Sequence, residues 1–384
     1  MTGRIALTGA RIFDGDTWHE RSALVIDNGI VEGLIAADSP TDARRVPVDG
    51  AMLVPGFVDL QVNGGGGVLL NEAPTLDGIR TICETHARFG TTALLPTLIT
   101  DTPEVTLEAA AAGAAAASEQ LPGFLGLHLE GPHLSLARKG AHDPGLIRAM
   151  QPIDIDRLAA ARRALPNLLV TVAAETVDHR QIAALRAAGL VVSIGHSDAS
   201  YALVKKAADA GATMVTHLFN AQSQMGNREP GVVGAALDLG ELHAGLIADG
   251  IHVDAATIGI ALRAKRGPGR IFLVTDAMSL TGTDRQRLTL NGREIIRAEG
   301  ALRLADGTLA GADLTMIAAV SYMHRTIGLP LEEALRMAAL YPAEALGVPD
   351  RGHLRRGAAA DFTTLSVDLD VRSTWIGGNE VFRG

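Results

Sequence analysis

Short apolar, β-prone runs recur along the chain at 53–62, 91–96, 124–129, 168–173, 190–194, 214–217, 243–248 and 271–275. Most are followed by a stretch with helical patterning, at 75–89, 103–120, 154–165, 178–188, 200–210 and 254–266. Eight such runs alternating with helices predict a parallel α/β architecture, a (β/α)8 TIM-like barrel. The structural rival is an open doubly wound sheet. No Gly-x-Gly-x-x-Gly follows an early strand, which weakens the nucleotide-binding version of that rival, and Gly64 to Gly67 lacks Walker-loop spacing.

The two ends of the chain follow a different pattern. Ile5 to Leu7, Ala23 to Ile26 and Val31 to Ile35 read as short strands separated by the turn-prone pairs Asp14-Gly15 and Asn28-Gly29. Asp361 to Val367 and Val371 to Val381 read the same way, with Gly377-Gly378-Asn379 as a turn. Neither end is large enough to fold well alone. The expected organisation is one small β-sandwich domain built from 1–54 and 348–384, around a barrel domain at 55–347.

Composition narrows the class. The chain has 384 residues, 47% hydrophobic but only 3% aromatic, so aliphatic and alanine packing must build the core. Lys+Arg 34 against Asp+Glu 43 gives a net charge of -9, which argues against a nucleic-acid binder. A few local Arg and His residues still suffice to bind one phosphate. The single cysteine, Cys83, excludes an intramolecular disulfide. No signal peptide is visible, and the alanine-rich stretch Ala109 to Ala117 falls short of the ~20 apolar residues of a membrane span. The expected location is the cytoplasm, with no membrane partner.

In a barrel, chemistry collects at the C-terminal ends of the strands. Here the third run ends in Glu130-Gly131-Pro132-His133, the fifth in Gly195-His196-Ser197 and the sixth in His217. The seventh ends in Asp249-Gly250-Ile251-His252 and the eighth in Asp276. One carboxylate with two imidazoles is a usual catalytic zinc set that leaves the fourth position to water. Such a metal lowers the pKa of its water toward 7 and polarises a carbonyl, and a nearby Asp can carry the proton to a leaving amine. The pattern therefore points to metal-assisted hydrolysis, with Glu130, His196 and His217 as ligands and Asp276 as acid/base. Each residue taken singly also has a bland reading. Glu130 could cap a turn, His196 could open a helix capped by Ser197 or Asp198, His217 could be a satisfied core histidine, and Asp276 could cap the next segment. The five strand ends together carry the case.

These residues resemble the N-acetylglucosamine-6-phosphate deacetylases of the amidohydrolase superfamily, over nearly the whole chain. Val54-Pro55-Gly56-Phe57-Val58-Asp59 is a superfamily signal. His128-Leu129-Glu130-Gly131-Pro132, Gly195-His196-Ser197 and Thr216-His217-Leu218-Phe219-Asn220-Ala221 are more specific. So are Arg228-Glu229-Pro230-Gly231, Ile247 to His252, and Val274-Thr275-Asp276-Ala277. The resemblance implies hydrolysis of the acetamide of N-acetyl-D-glucosamine 6-phosphate to D-glucosamine 6-phosphate and acetate, in amino-sugar catabolism and recycling. It implies one divalent ion per subunit on Glu130, His196 and His217. Zinc is the first expectation, although iron, manganese and cobalt suit similar sites.

The same resemblance implies a sugar-phosphate pocket lined by Ala141, His142, Asn220, Ala221, Asp249 and His252, closed by the turn Leu309-Ala310-Gly311. His142 would stand near the acetyl carbonyl or the sugar hydroxyls. Arg228 and His252 would hold the phosphate, which suits the forked guanidinium. Arg228 would be donated across a homodimer interface. Arg228 and His142 have bland readings too, as an exposed loop charge and as a loop histidine beside Asp143-Pro144.

Two departures from the wider pattern stand out, at three positions. Gln61 and Asn63 stand where many amidohydrolases carry His-x-His, and amides are poor zinc ligands beside imidazole. Some members of the deacetylase family share this form. His133 stands where that family usually has an aromatic, and the expectation here is a pocket wall. Three rival functions remain in view: deacetylation of the galactosamine isomer, cyclic-amide hydrolysis, and a non-catalytic sugar-phosphate sensor. Arg228 with His252 favours a phosphorylated substrate, and a sensor would not need Asp276 or three ligand-type residues.

Overall fold

The computed structural model describes residues 3–290 and 292–384. Among the described residues, eight strands form one parallel sheet in chain order. They run Phe57–Val62, Thr91–Ile99, Leu127–Glu130, Leu168–Val172, Val191–Ile194, Met214–Val215, His243–Leu246 and Ile271–Leu273. The barrel closes just beyond the eighth strand, where Val62 and Ala277 form a parallel bridge and Asp276 N donates to Gln61 O at 2.9 Å. This closure makes the fold a (β/α)8 barrel.

Helices follow the strands as the patterning predicts. Leu76–Ala87, Pro103–Ser118 and Tyr201–Asp209 begin at Thr75, Thr102 and Ser200, whose hydroxyls accept a backbone N–H of the first turn. Such a cap contributes about 1 kcal/mol. The cap of the fifth-strand helix is thus Ser200, and neither Ser197 nor Asp198 serves it. Gly231–Asp238, Met316–Arg325, Leu331–Ala338 and Leu340–Leu346 are further helices that the patterning does not single out.

The run at 53–62 is two strands, not one. Met52–Pro55 pairs antiparallel with Phe362–Leu365, while Phe57–Val62 enters the barrel. Gly56 is the switch point. A Cβ there would lie 2.1 Å from Thr92 Oγ1, so the strands approach more closely than any other residue permits.

Both chain ends build β structure beside the barrel. One sheet joins Ile30–Ala36, Ser22–Asp27, Ile5–Thr8 and Arg44–Pro47. The other joins Asn379–Arg383, Val371–Ile376, Phe362–Leu365, Met52–Pro55, Arg11–Phe13 and Trp18–His19, so it mixes both termini. Leu7, Ile12, Leu24, Leu53, Phe362 and Trp375 fill the core between them.

A third, antiparallel sheet of Arg287–Leu290, Arg293–Ala298 and Ala301–Leu304 is inserted after the eighth barrel strand. Its inner residues Leu288, Leu290, Ile295 and Leu302 pack on Ile99, Met278 and Ala310 at the barrel mouth.

Candidate active site

The strand ends deliver their polar residues to one buried point. Glu130 ends the third strand, and His196 and His217 follow the fifth and sixth. Asp276 follows the eighth. His196, His217 and Asp276 have φ of 46°, 27° and 51°. These left-handed backbones are uncommon for residues with side chains and collect at functional sites. Gly195 makes the His196 turn possible, because a Cβ there would lie 2.8 Å from Thr171 Cγ2 and Thr216 Cβ.

Three donor atoms cluster. His217 Nε2 lies 3.0 Å from Glu130 Oε1 and 3.1 Å from His196 Nε2, and His196 Nε2 lies 3.3 Å from Glu130 Oε1. Ligand atoms at ~2.0–2.1 Å from a tetrahedral ion lie roughly this far apart. His196 Nδ1 donates to Arg138 O at 2.8 Å, which leaves a lone pair on Nε2, directed at the cluster. Two imidazole nitrogens 3.1 Å apart cannot both carry protons, and a cation between them removes the conflict. Glu130, His142 and His196 form a wider alternative set, with donor atoms within 4.8 Å of one another. Since His142 Nε2 stands 3.8 Å from Glu130 Oε2, the set containing His217 is the tighter one. The residues fit a divalent ion.

Gln61 and Asn63 point their amide nitrogens at carboxylates. Gln61 Nε2 donates to Glu130 Oε1 at 3.2 Å and to Asp276 Oδ1 at 3.1 Å, and Asn63 Nδ2 donates to Asp276 Oδ1 at 2.7 Å. The amides thus occupy the ground between the two acids as donors.

The electrostatics separate those acids. Burial opposes a charge on Glu130, but the hydrogen bonds and charges of His196 and His217 hold its carboxyl well below the usual range. Burial and then the Glu130 charge push Asp276 up, against the Asn63 hydrogen bond. Burial pushes His217 down, but the hydrogen bond and charge of Glu130, joined by the charge of Asp276, together raise it. Burial and the neighbouring His196 push His142 down to about 3, so its ring is neutral.

The cluster forms the floor of a cavity of about 350 Å³. Ala141, His142, Asn220 and Ala221 line it, with His252 and the turn Leu309, Ala310 and Gly311. His142 is held by Thr100, Nδ1 to Oγ1 at 2.8 Å. Asp249 lies outside the lining and fixes His252 instead, Oδ2 to Nδ1 at 2.6 Å. Arg228 is exposed and does not line its own chain's cavity. The expectation for His133 needs correction. It turns away from the cavity, pairs with Arg148 O at 3.1 Å and faces Asp154 at 3.8 Å, in a separate crevice against the helix Pro152–Ala164. The preceding Gly131, at φ 91°, takes the chain away from the mouth immediately after Glu130.

Sequence reasoning missed Leu290 and Met278 as cavity walls, Arg138 as the anchor of His196, and Thr100. For Leu290, the Asn291-Gly292 pair after alternating Leu288 and Leu290 was an available hairpin signal. For Thr100 and Arg138 no local signal exists.

Residues 52–381 match the amidohydrolase family. The chain belongs to the amidohydrolase family. It is 40% identical to N-acetylgalactosamine-6-phosphate deacetylase of Shewanella sp. (strain ANA-3), over 98% of this chain and 95% of that protein. It is 35% identical to N-acetylglucosamine-6-phosphate deacetylase of Haemophilus influenzae, over 93% of each. The solved N-acetylglucosamine-6-phosphate deacetylase of Pasteurella multocida superposes with a TM-score of 0.94 at 34% identity, covering 99% of this chain and 100% of that one. A mutant of the Mycobacterium smegmatis enzyme, solved in complex with N-acetyl-D-glucosamine-6-phosphate, gives 0.91 at 35% identity over 99% of each chain. No helix among the described residues is long and apolar enough to cross a membrane.

Proposed function

We propose that this amidohydrolase removes the acetyl group from N-acetyl-D-glucosamine 6-phosphate, giving D-glucosamine 6-phosphate and acetate. The observation that carries the reading is the set of Glu130 Oε1, His196 Nε2 and His217 Nε2, mutually within 3.3 Å and tied to Asp276 through Gln61. Those three residues would hold one divalent ion, zinc in the first instance. When bound, the ion supplies Lewis-acid polarisation and acidifies water. Asp276 accepts the proton of the attacking water and delivers it to the amide nitrogen as the C–N bond breaks, because an amine leaves readily only once protonated. Neutral His142 donates to the acetyl oxygen or a sugar hydroxyl.

His252, steadied by Asp249, receives the phosphate together with Arg228 of the partner subunit in a homodimer. Arg228 is exposed beside Met225, which is itself 58% exposed, while Glu229 Oε1 anchors the loop to Tyr201 N at 2.7 Å. A loop fixed at its base with an apolar and a cationic tip suits an interface between copies.

A second reading is N-acetylgalactosamine 6-phosphate, supported by the 40% identity to the Shewanella protein. Acetate release from both 6-phosphates and from unphosphorylated N-acetylglucosamine tests the reading. Zinc-loaded protein, carrying about one metal equivalent, should prefer phosphorylated substrate by about ten-fold or more, as expected from the loss of a charge-assisted bond. The kcat/KM ratio between the two epimers decides between the two readings. No acetate from either phosphate ends both.

A further inference from the structure

The Asp59 carboxyl takes no part in the chemistry above, yet it is completely buried on the first barrel strand. Its Oδ2 accepts from Thr275 Oγ1 at 2.6 Å, and its Oδ1 accepts from Thr275 N and Gln61 N, both at 3.2 Å. Every one of these donors belongs to a residue adjoining Asp276. Thr275 precedes it in the chain, and Gln61 donates to its Oδ1.

Asp276 needs such support. At φ 51° its backbone is in the left-handed region, which is strained for a residue with a side chain and persists only where neighbours over-determine it. Thr275 Oγ1, gripped by Asp59, also accepts from Ala277 N at 3.3 Å, so one hydroxyl ties the residues on both sides of Asp276. Asp276 N donates to Gln61 O at 2.9 Å, and its own carbonyl accepts from Ala312 N at 2.8 Å. A carboxyl in this place is costly, since burial pushes Asp59 up to about 7 against its three donors. A tie between the first and eighth strands alone could be made by apolar packing.

We propose that Asp59 is a positioning residue that, through Thr275 and Gln61, locks Asp276 in the left-handed conformation that aims its carboxyl at the Glu130, His196 and His217 cluster. The proposal rests on Asp276 acting as the acid/base.

The test is a double-mutant cycle on the metal-loaded protein. Asp59→Ala should lower kcat by about 10- to 100-fold, the size expected when a reacting group is misplaced by about 1 Å. KM should stay within about two-fold and metal content should not change. In an Asp276→Asn background the same substitution should alter the residual kcat by less than about two-fold, because the group it positions is already gone. Equal proportional losses in both backgrounds, or a near-normal kcat for Asp59→Ala, would overturn the proposal. If Asp59→Ala does not fold, or the residual rate is too low to compare, the Thr275 variants decide. Thr275→Val should lose rate while Thr275→Ser, which keeps the hydroxyl, retains most of it; equal rates for the two overturn the proposal. A wild-type protein that releases no acetate, or an Asp276→Asn variant of normal rate, would instead reject the reading of the site.

Discussion

The barrel mouth and the terminal β-sheets bury side chains for opposite ends. At the mouth, Glu130, His142, His196, His217 and Asp276 are all buried polar groups. Three of them sit on left-handed backbone, and His217 Nδ1 and Asn63 Oδ1 have no hydrogen-bond partner. Between the terminal sheets, Leu7, Ile12, Leu24, Leu53, Phe362 and Trp375 form an apolar core, with the Phe362 and Trp375 rings stacked 5.3 Å apart. The mouth spends stability on like-charged acids and strained turns. The apolar cores supply that stability elsewhere. A site of this kind is affordable only on a scaffold whose remaining residues are locally consistent.

Substitutions should therefore separate rate from stability, and the largest separation is expected at Asp276. Asp276→Asn should cut kcat by about 10²- to 10⁴-fold, the usual contribution of a general acid/base. Thermal melts should show no loss of stability, since a buried carboxyl whose pKa is raised by its surroundings has been made neutral. A fall in Tm alongside kcat would blur the division between the two regions.

The mirror experiment is Phe362→Ala. It empties a fully buried aromatic site and should cost about 3–5 kcal/mol in denaturant unfolding. The kcat of the folded fraction should be unchanged. A comparable loss of kcat would mean that the terminal sheets hold the mouth in shape.

His86 sharpens the comparison, as a buried polar group away from the acids. Its Nε2 bonds Gly64 O at 2.9 Å, and burial pushes its pKa down to about 4. The ordinary value is about 6.5. Below that, the unfolded chain takes up a proton that the folded ring refuses until about pH 4. Stability is therefore fully present above pH 6.5 and lost as the pH falls below it. Between pH 7 and pH 5 this histidine should account for about 2 kcal/mol of lost stability. His86→Gln, which keeps a donor for Gly64 O, should flatten the acid limb by about that amount. An unchanged limb would place the acid sensitivity at the mouth instead.

The smallest effect is expected at Arg228, which is exposed and lies outside its own chain's cavity. Arg228→Ala should raise KM for the 6-phosphate by about ten-fold, with little change for the unphosphorylated sugar. Mixing Arg228→Ala chains with Asp276→Asn chains should restore part of the activity, because one pocket of each heterodimer then keeps both residues. Heterodimers without restored activity would return Arg228 to its own subunit or to solvent.

Much of this molecule was legible from local pattern. The barrel strands announce themselves as apolar runs, because a strand buried on both faces has no polar positions to spare. Glu130, His196, His217 and Asp276 stand out because they interrupt that apolarity at strand ends. His133 misled for the same reason: it stands three residues after Glu130, and only the turn at Gly131 reveals that it faces the other way. Arg138 and Thr100 were invisible because their work, a carbonyl for His196 and a hydroxyl for His142, is done by atoms that chain distance does not relate to their targets.

Composition and periodicity by themselves pointed to a (β/α)8 barrel over its open-sheet rival, to β structure drawn from both chain ends, and to a carboxylate–imidazole set at the strand ends. Those features depend on which side chains prefer burial, and that preference is written residue by residue. Only the tertiary structure decided that Gln61 and Asn63 are donors between two acids, that Gly56 divides one apolar run between two sheets, and that a three-stranded sheet walls the cavity. Each of these depends on where barrel closure places atoms from distant parts of the chain. Asp59 reaches Thr275 across 216 positions of sequence, and a contact of that separation exists only once the first and eighth strands have met.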